Sequence, residues 1–132
     1  MRKKVFSAKE QYPWEECLPE AQEQIQASYG LKLSALELRE FKRHFLASTN
    51  ELQELADSCP KPLYSSVRYI QKSFDPVDDA ITRFMMTEYD CSWELARVHT
   101  TRSQERGIEL YLSHTEEFKE YLRRVQERKH LP

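Results

Sequence analysis

The sequence predicts an all-α fold, a single-domain bundle of five or six helices that spans residues 1–132. A length of 132 residues is typical of one domain, and 39% of the residues are hydrophobic, so the chain can bury a core without disulfides or metal. Only two residues are glycine, and apolar side chains recur in steps of three and four through most of the chain. The alternative is an α+β fold with one small hairpin near residues 98–112, around Gly107.

The first half of the chain predicts a peripheral helix followed by a long apolar stripe. Pro19–Tyr29 is rich in Glu, Gln and Ala, and Gly30 stands in a C-cap position. Apolar residues over Leu31–Ala56 keep to steps of three, four or seven. A potential capping box at residues 48–51 leaves open whether this stripe is one helix or two. The two prolines of residues 59–62 end it.

The second half predicts three further helices and allows a fourth, short one. Residues 63–74 favour a helix over a strand, because the apolar residues follow steps of four, three and four. Asp75 is a good N-cap and is followed by proline at the first helical position, which predicts a helix over residues 76–88. Ser92 could cap a short helix, and a helical seam over residues 108–125 predicts a long terminal helix.

The composition excludes several classes of protein. Two glycines are too few for a P-loop or a dinucleotide-binding turn. The three cysteines are far apart and form no Cys-x-x-Cys pair, which predicts reduced thiols in a cytoplasmic protein. No apolar run is long enough for a signal peptide or a membrane span. The four histidines are isolated from one another and from the cysteines, so we expect no metal and no cofactor.

Paired carboxylates give no evidence of catalysis. Asp78 and Asp79 lie near the start of a predicted helix, where negative charge offsets the helix macrodipole. Adjacent helical residues also point about 100° apart, so the two side chains do not face one pocket. No nucleophile motif is present either, and we therefore expect that the protein is not an enzyme.

The favoured function is a non-catalytic intracellular protein-interaction or regulatory module that acts through an amphipathic helical surface. Its partner would be another protein or a second copy of itself, with no membrane involved. Residues 1–14 are expected to be an extended or flexible segment, in which bulky aromatics can anchor a partner. The terminal helix has a narrow apolar face between charged flanks. The predicted partner-binding residues are Tyr12, Trp14, Phe118, Tyr121, Leu122 and Val125.

The alternative function is nucleic-acid binding. A helix-turn-helix pair over residues 76–102 would present its second helix to phosphates or base edges, and the locally basic C-terminus would add cations. The candidate residues are Arg97, Thr101, Arg102, Arg123, Arg124 and Arg128. A second version uses a basic and aromatic surface of Lys61, Arg68 and Lys72 interleaved with Tyr64, Tyr69 and Phe74.

The charge distribution weighs against nucleic acid. The whole chain carries a net charge of −2. Residues 1–9 carry four basic groups, residues 10–60 carry four basic and ten acidic groups, and residues 61–132 carry twelve of each. Neither basic end resembles the strongly basic stripe of a dedicated nucleic-acid binder.

Overall fold

The computed structural model describes residues 7–111 and residue 113, and this part of the chain contains helices and no strand. The predicted all-α fold is confirmed, and the hairpin alternative is wrong, because residues 102–111 are helical. Thr101 and Gln104 cap the N-terminus of this helix. The Thr101 backbone N–H donates to Gln104 Oε1 at 3.0 Å, and the Gln104 N–H donates to Thr101 Oγ1 at 3.4 Å, which is a capping box.

The helices are joined by short connections, and two of them, α1 and α6, are only one turn long. In chain order they are α1 (Ala8–Gln11), α2 (Trp14–Tyr29), α3 (Ala35–Asp57), a 3-10 helix (Lys61–Leu63), α4 (Tyr64–Ser73), α5 (Pro76–Glu88), α6 (Trp93–Ala96) and α7 (residues 102–111). The two short helices explain why residues 7–111 contain more than the five or six helices predicted. Among the described helices, none combines the length and the apolar content needed to cross a lipid bilayer.

Local capping explains where the principal helices begin and end. Gly30 ends α2 with a left-handed φ of 66°. Asp75 caps α5, because its Oδ1 accepts from the Val77 backbone N–H at 2.8 Å. Both caps agree with the sequence prediction. Helix α3 begins at a capping box that was not predicted from the sequence, in which Ser34 and Glu37 each accept the other's backbone N–H.

Helix α3 is one continuous helix, which answers the question that the sequence left open at residues 48–51. No cap forms there, since Ser48 and Thr49 are buried within the helix. The Thr49 hydroxyl donates to the Leu46 carbonyl at 3.0 Å, and the Ser48 hydroxyl donates to a carboxylate of α5. Both hydroxyls therefore find partners without interrupting the helix.

The core of the described residues consists of two hydrophobic clusters that share α3. The first cluster joins α2, the first half of α3 and α5, and contains Phe41 and Phe45. The second cluster joins α1, the second half of α3, α4 and α7, and contains Leu52 and Leu55. Most of α5 is buried, so it is the central helix of the fold.

The extended segment predicted over residues 1–14 is helical in its described part, except around Pro13. Ser7 caps α1, and the Tyr12 hydroxyl donates to the Phe74 carbonyl at 3.4 Å. Trp14 is the first residue of α2, which begins five residues before the predicted start at Pro19. Pro19 now lies inside α2, where it has no backbone N–H to donate, and it is on the exposed side of the helix.

Helix α7 approaches the C-terminal end of α4 very closely at Gly107. A β-carbon at this position would lie 2.8 Å from the carbonyl carbon of Ser73 and 3.0 Å from the backbone nitrogen of Phe74. Both atoms belong to the backbone, so they cannot move aside as a flexible side chain would. The absence of a side chain at Gly107 therefore sets the distance between the two helices.

We expect Gly107→Ala to destabilise the protein by about 1–3 kcal/mol, because the added methyl group overpacks this contact. In an open helix the same substitution stabilises by roughly 0.5–1 kcal/mol. The sign of the change, measured by urea unfolding followed by circular dichroism, therefore tests the contact. A stabilised variant would contradict the close approach of α7 to α4.

Candidate interaction surface

The outward side of α4 and of the preceding 3-10 helix carries cations and tyrosines without a carboxylate. Residues 58–74 contain no Asp or Glu. The inward side of this segment consists of Val67, Ile70 and Phe74, which pack in the second cluster. The outward side, which we call the basic-aromatic face, consists of Lys61, Tyr64, Ser65, Arg68, Tyr69 and Lys72.

The two tyrosines of this face are unusually open to solvent. Tyr64 is 50% exposed and Tyr69 is 42% exposed. Tyr64 lies one turn before Arg68, and Tyr69 lies one turn before Lys72. Aromatic rings and cations therefore alternate along the helix, so that one partner could contact both kinds of group.

The three cations of the basic-aromatic face form no ion pair with any other described residue. Arg83 and Arg97 differ, because carboxylates within the fold hold both of them. The basic-aromatic face therefore carries three cations, Lys61, Arg68 and Lys72, that can bind an anion outside the described part of the chain.

The helix-turn-helix pair predicted over residues 76–102 does not form as expected. Its first helix is present as α5, but its second helix, α6, ends after one turn, with Arg97 as its C-cap. The Arg97 guanidinium stacks on the Trp93 ring, 4.2 Å from its centroid, and Arg97 Nη1 lies 3.2 Å from Glu109 Oε1. These internal contacts hold Arg97 away from an outside phosphate.

The other predicted site residues that the structure describes do not form one site. Thr101 caps α7, and Arg102 follows it at an exposed position. Trp14 packs against Phe41 and Phe45, with ring centroids 5.8 and 5.3 Å apart, so it belongs to the first cluster. The predicted residues that lie outside the described part of the chain are Phe118, Tyr121, Leu122, Arg123, Arg124, Val125 and Arg128.

A buried polar network connects α3, α5 and α7. Asp79 accepts a hydrogen bond from Ser48 Oγ at 2.6 Å, and Arg83 Nε lies 2.8 Å from Asp79 Oδ2. Arg83 Nη2 also donates to Glu51 Oε2 at 2.6 Å, and the Tyr111 hydroxyl donates to the same carboxylate. Burial raises the pKa of Asp79, while Arg83 and Ser48 oppose that rise.

A second buried group, Asp78, contacts His99. The His99 Nε2 atom lies 3.2 Å from the Asp78 carbonyl oxygen and 3.7 Å from its carboxyl Oδ1. The opposite ring nitrogen, Nδ1, lies 3.0 Å from the Tyr29 hydroxyl, which in turn is 2.7 Å from the Ala96 carbonyl. These contacts connect α2 and α5 with the turn after α6.

The carboxyl group of Asp78 lacks a hydrogen-bond partner among the described residues. Burial raises the pKa of Asp78 to about 8, and the nearby carboxylates of Asp75 and Glu20 add to the rise. Burial also disfavours the charged form of His99, and it therefore lowers the pKa of that side chain. Asp78 and Asp79 lie in the first turn of α5, as predicted, but their burial was not predicted from the sequence. The sequence did contain a signal for the ion pair of Asp79, because Arg83 lies one turn further along α5.

The described residues contain no group of three or more side chains that could hold a metal ion. They do form an open cleft of about 490 Å³ beside α2, lined by Gln22, Glu23, Gln26, Ala27, Leu31, Lys32 and Leu33. The buried polar groups described above do not line this cleft. The basic-aromatic face is therefore the best-defined candidate site.

Comparison with known proteins gives no relative. The chain matches no protein-family model, no curated protein sequence and no solved structure.

We expect Asp78→Asn to stabilise the protein increasingly as the pH rises from about 4 to about 8. The folded-state pKa of Asp78 lies above the ordinary value of 3.8, so in this window the unfolded chain has lost a proton that the folded protein retains. The wild-type protein therefore loses stability as the pH rises, by up to about 1.4 kcal/mol per pH unit from this group. Asparagine does not titrate and avoids that loss.

Urea unfolding of both proteins at several pH values measures this difference. Asp90→Asn is the matched control, because Asp90 is exposed and has a positive φ of 54°, which asparagine tolerates. The control should follow the wild-type pH dependence. Parallel stability curves for Asp78→Asn and the wild type would contradict a buried, protonated Asp78.

Proposed function

We propose that the protein is a non-catalytic interaction module that binds an acidic protein surface through the basic-aromatic face. The observation that carries the proposal is the combination on one helix face of two half-exposed tyrosines with three cations that have no anionic partner among the described residues. Tyrosine and arginine are enriched among the residues that dominate binding energy at protein interfaces. A cytoplasmic setting is part of the proposal, and the three free cysteines support it.

The two kinds of side chain would contribute differently to binding. An exposed ion pair supplies only about 0.2–1 kcal/mol, so three cations alone give a weak and salt-sensitive contact. The tyrosines add apolar area that is removed from water when a partner covers them, at about 25 cal/mol per Å². We therefore expect the cations to select an acidic partner and the tyrosines to supply much of the affinity.

Single-stranded nucleic acid is the second candidate for the same face. Bases stack on exposed aromatic rings while cations contact the phosphates, and the alternation of Tyr64, Arg68, Tyr69 and Lys72 fits that pattern. A protein surface is favoured for two reasons. The chain as a whole is acidic, with a net charge of −2, and only three cations lie on the face.

Fluorescence anisotropy with two labelled probes tests the proposal. One probe is a helical peptide with Glu at every third or fourth position, and the other is an oligothymidine of similar net charge. We expect the wild-type protein to prefer the peptide. Arg68→Glu combined with Lys72→Glu should weaken peptide binding more than tenfold, and Tyr69→Ala should weaken it several-fold.

The matched control is Arg39→Glu, which reverses an exposed charge on α3 and should leave peptide binding unchanged. Tighter binding of the oligothymidine, with an affinity that falls roughly as the second power of the salt concentration, would favour the nucleic-acid function instead. Failure of both probes to bind, or an equal effect of Arg39→Glu, would overturn the proposal.

A further inference from the structure

The most acidic element of the described chain is α2, and its carboxylates face outward. Trp14–Tyr29 contains four Glu residues and no Lys or Arg. All four are exposed, and Glu16, Glu20 and Glu23 follow each other in steps of four and three, which places them on one side of the helix. We call these three residues the acidic face.

The cleft beside α2 borders this acidic face, because Glu23 belongs to both. Ala27, Leu31 and Leu33 supply apolar surface inside the cleft, and Leu31 and Leu33 also contact the first core cluster. The polar residues around them are Gln22, Gln26 and Lys32. An apolar depression with a polar rim fits an aromatic side chain whose hydroxyl stays near water.

The acidic face and the basic-aromatic face carry opposite charges, and the spacing of the charges is the same on both. Glu16 and Glu20 are four residues apart, as are Arg68 and Lys72. Four residues correspond to about 6 Å along a helix axis, so two such pairs of opposite charges can meet when the helices lie side by side. The half-exposed tyrosines of α4 and the cleft beside α2 give the same two surfaces an apolar contact.

We propose that the acidic protein surface bound by the basic-aromatic face is the acidic face of a second copy of this chain, with Tyr64 or Tyr69 occupying the cleft beside α2. This inference rests on the proposed function and names its partner. The carboxylates of Glu16, Glu20 and Glu23 in one copy pair with the cations of α4 in the other. The aromatic side chain in the cleft is the anchor of the contact.

The contact joins two unlike faces, the acidic face of one copy and the basic-aromatic face of the next. The two faces lie on α2 and α4, which belong to different core clusters. The mass of the assembly should therefore increase with protein concentration and decrease with added salt, since the charged groups lie on the surface.

Charge reversal tests the inference by sedimentation velocity at low ionic strength. The first variant combines Glu16→Lys with Glu23→Lys, and leaves Glu20 intact because that residue influences the buried carboxyl of Asp78. The second variant combines Arg68→Glu with Lys72→Glu. Each variant alone should associate at least tenfold more weakly than the wild type, since its two faces carry charges of the same sign.

An equimolar mixture of the two variants should regain association, because each reversed face then meets a face of opposite charge. The control combines Arg39→Glu with Glu54→Lys, which reverses two exposed charges on α3 and should associate as the wild type does. Ala27→Trp fills the cleft and should weaken self-association, yet it should leave binding of the Glu-rich peptide unchanged.

The outcomes separate this inference from the proposed function. A wild-type protein that binds the Glu-rich peptide but stays monomeric at all concentrations overturns the inference and leaves the proposed function standing. Association that persists in the Arg68→Glu and Lys72→Glu variant, or a mixture that fails to regain association, also overturns it. A wild-type protein that binds neither the peptide nor itself overturns both.

Discussion

The buried polar network around Asp79 and Arg83 of α5 is the constraint on which the relative position of three helices depends. A buried carboxylate is costly unless it is paired and hydrogen-bonded. Here the Oδ2 atom of Asp79 accepts from the Ser48 hydroxyl and lies 2.8 Å from Arg83 Nε, while Oδ1 has no hydrogen-bond partner among the described residues. Arg83 in turn reaches Glu51, which accepts from Tyr111. One polar network therefore fixes α3, α5 and α7 in a single relative position, because its members find their partners only when all three helices are in place.

The position of this network determines which surfaces remain available. Its α3 members, Ser48 and Glu51, lie between Phe45 of the first cluster and Leu52 of the second. With the network at the boundary between the clusters, α2 packs on one side of it and α4 on the other. The location of the two charged faces therefore follows from how the core is divided.

The sequence predicts those parts of the fold that depend on local signals. Gly30 and Asp75 mark helix ends because a left-handed residue and a side-chain cap act within one turn of the chain. The burial of Asp78 and Asp79 could not be predicted in this way, since it depends on α3, α2 and the turn after α6 packing around α5. The basic-aromatic face was visible as a pattern of residue types, but which of them face outward follows from the second cluster, where Phe74 is buried.

The sharing of α3 between both clusters has a consequence for the cooperativity of unfolding. A helix that is packed at one end against α5 and at the other end against α4 and α7 cannot be released by the loss of one cluster alone. Backbone amides near Ser48, in the middle of α3, should then exchange with solvent only when the whole molecule opens. We therefore expect the two clusters to unfold as one unit, although each has a hydrophobic interior of its own.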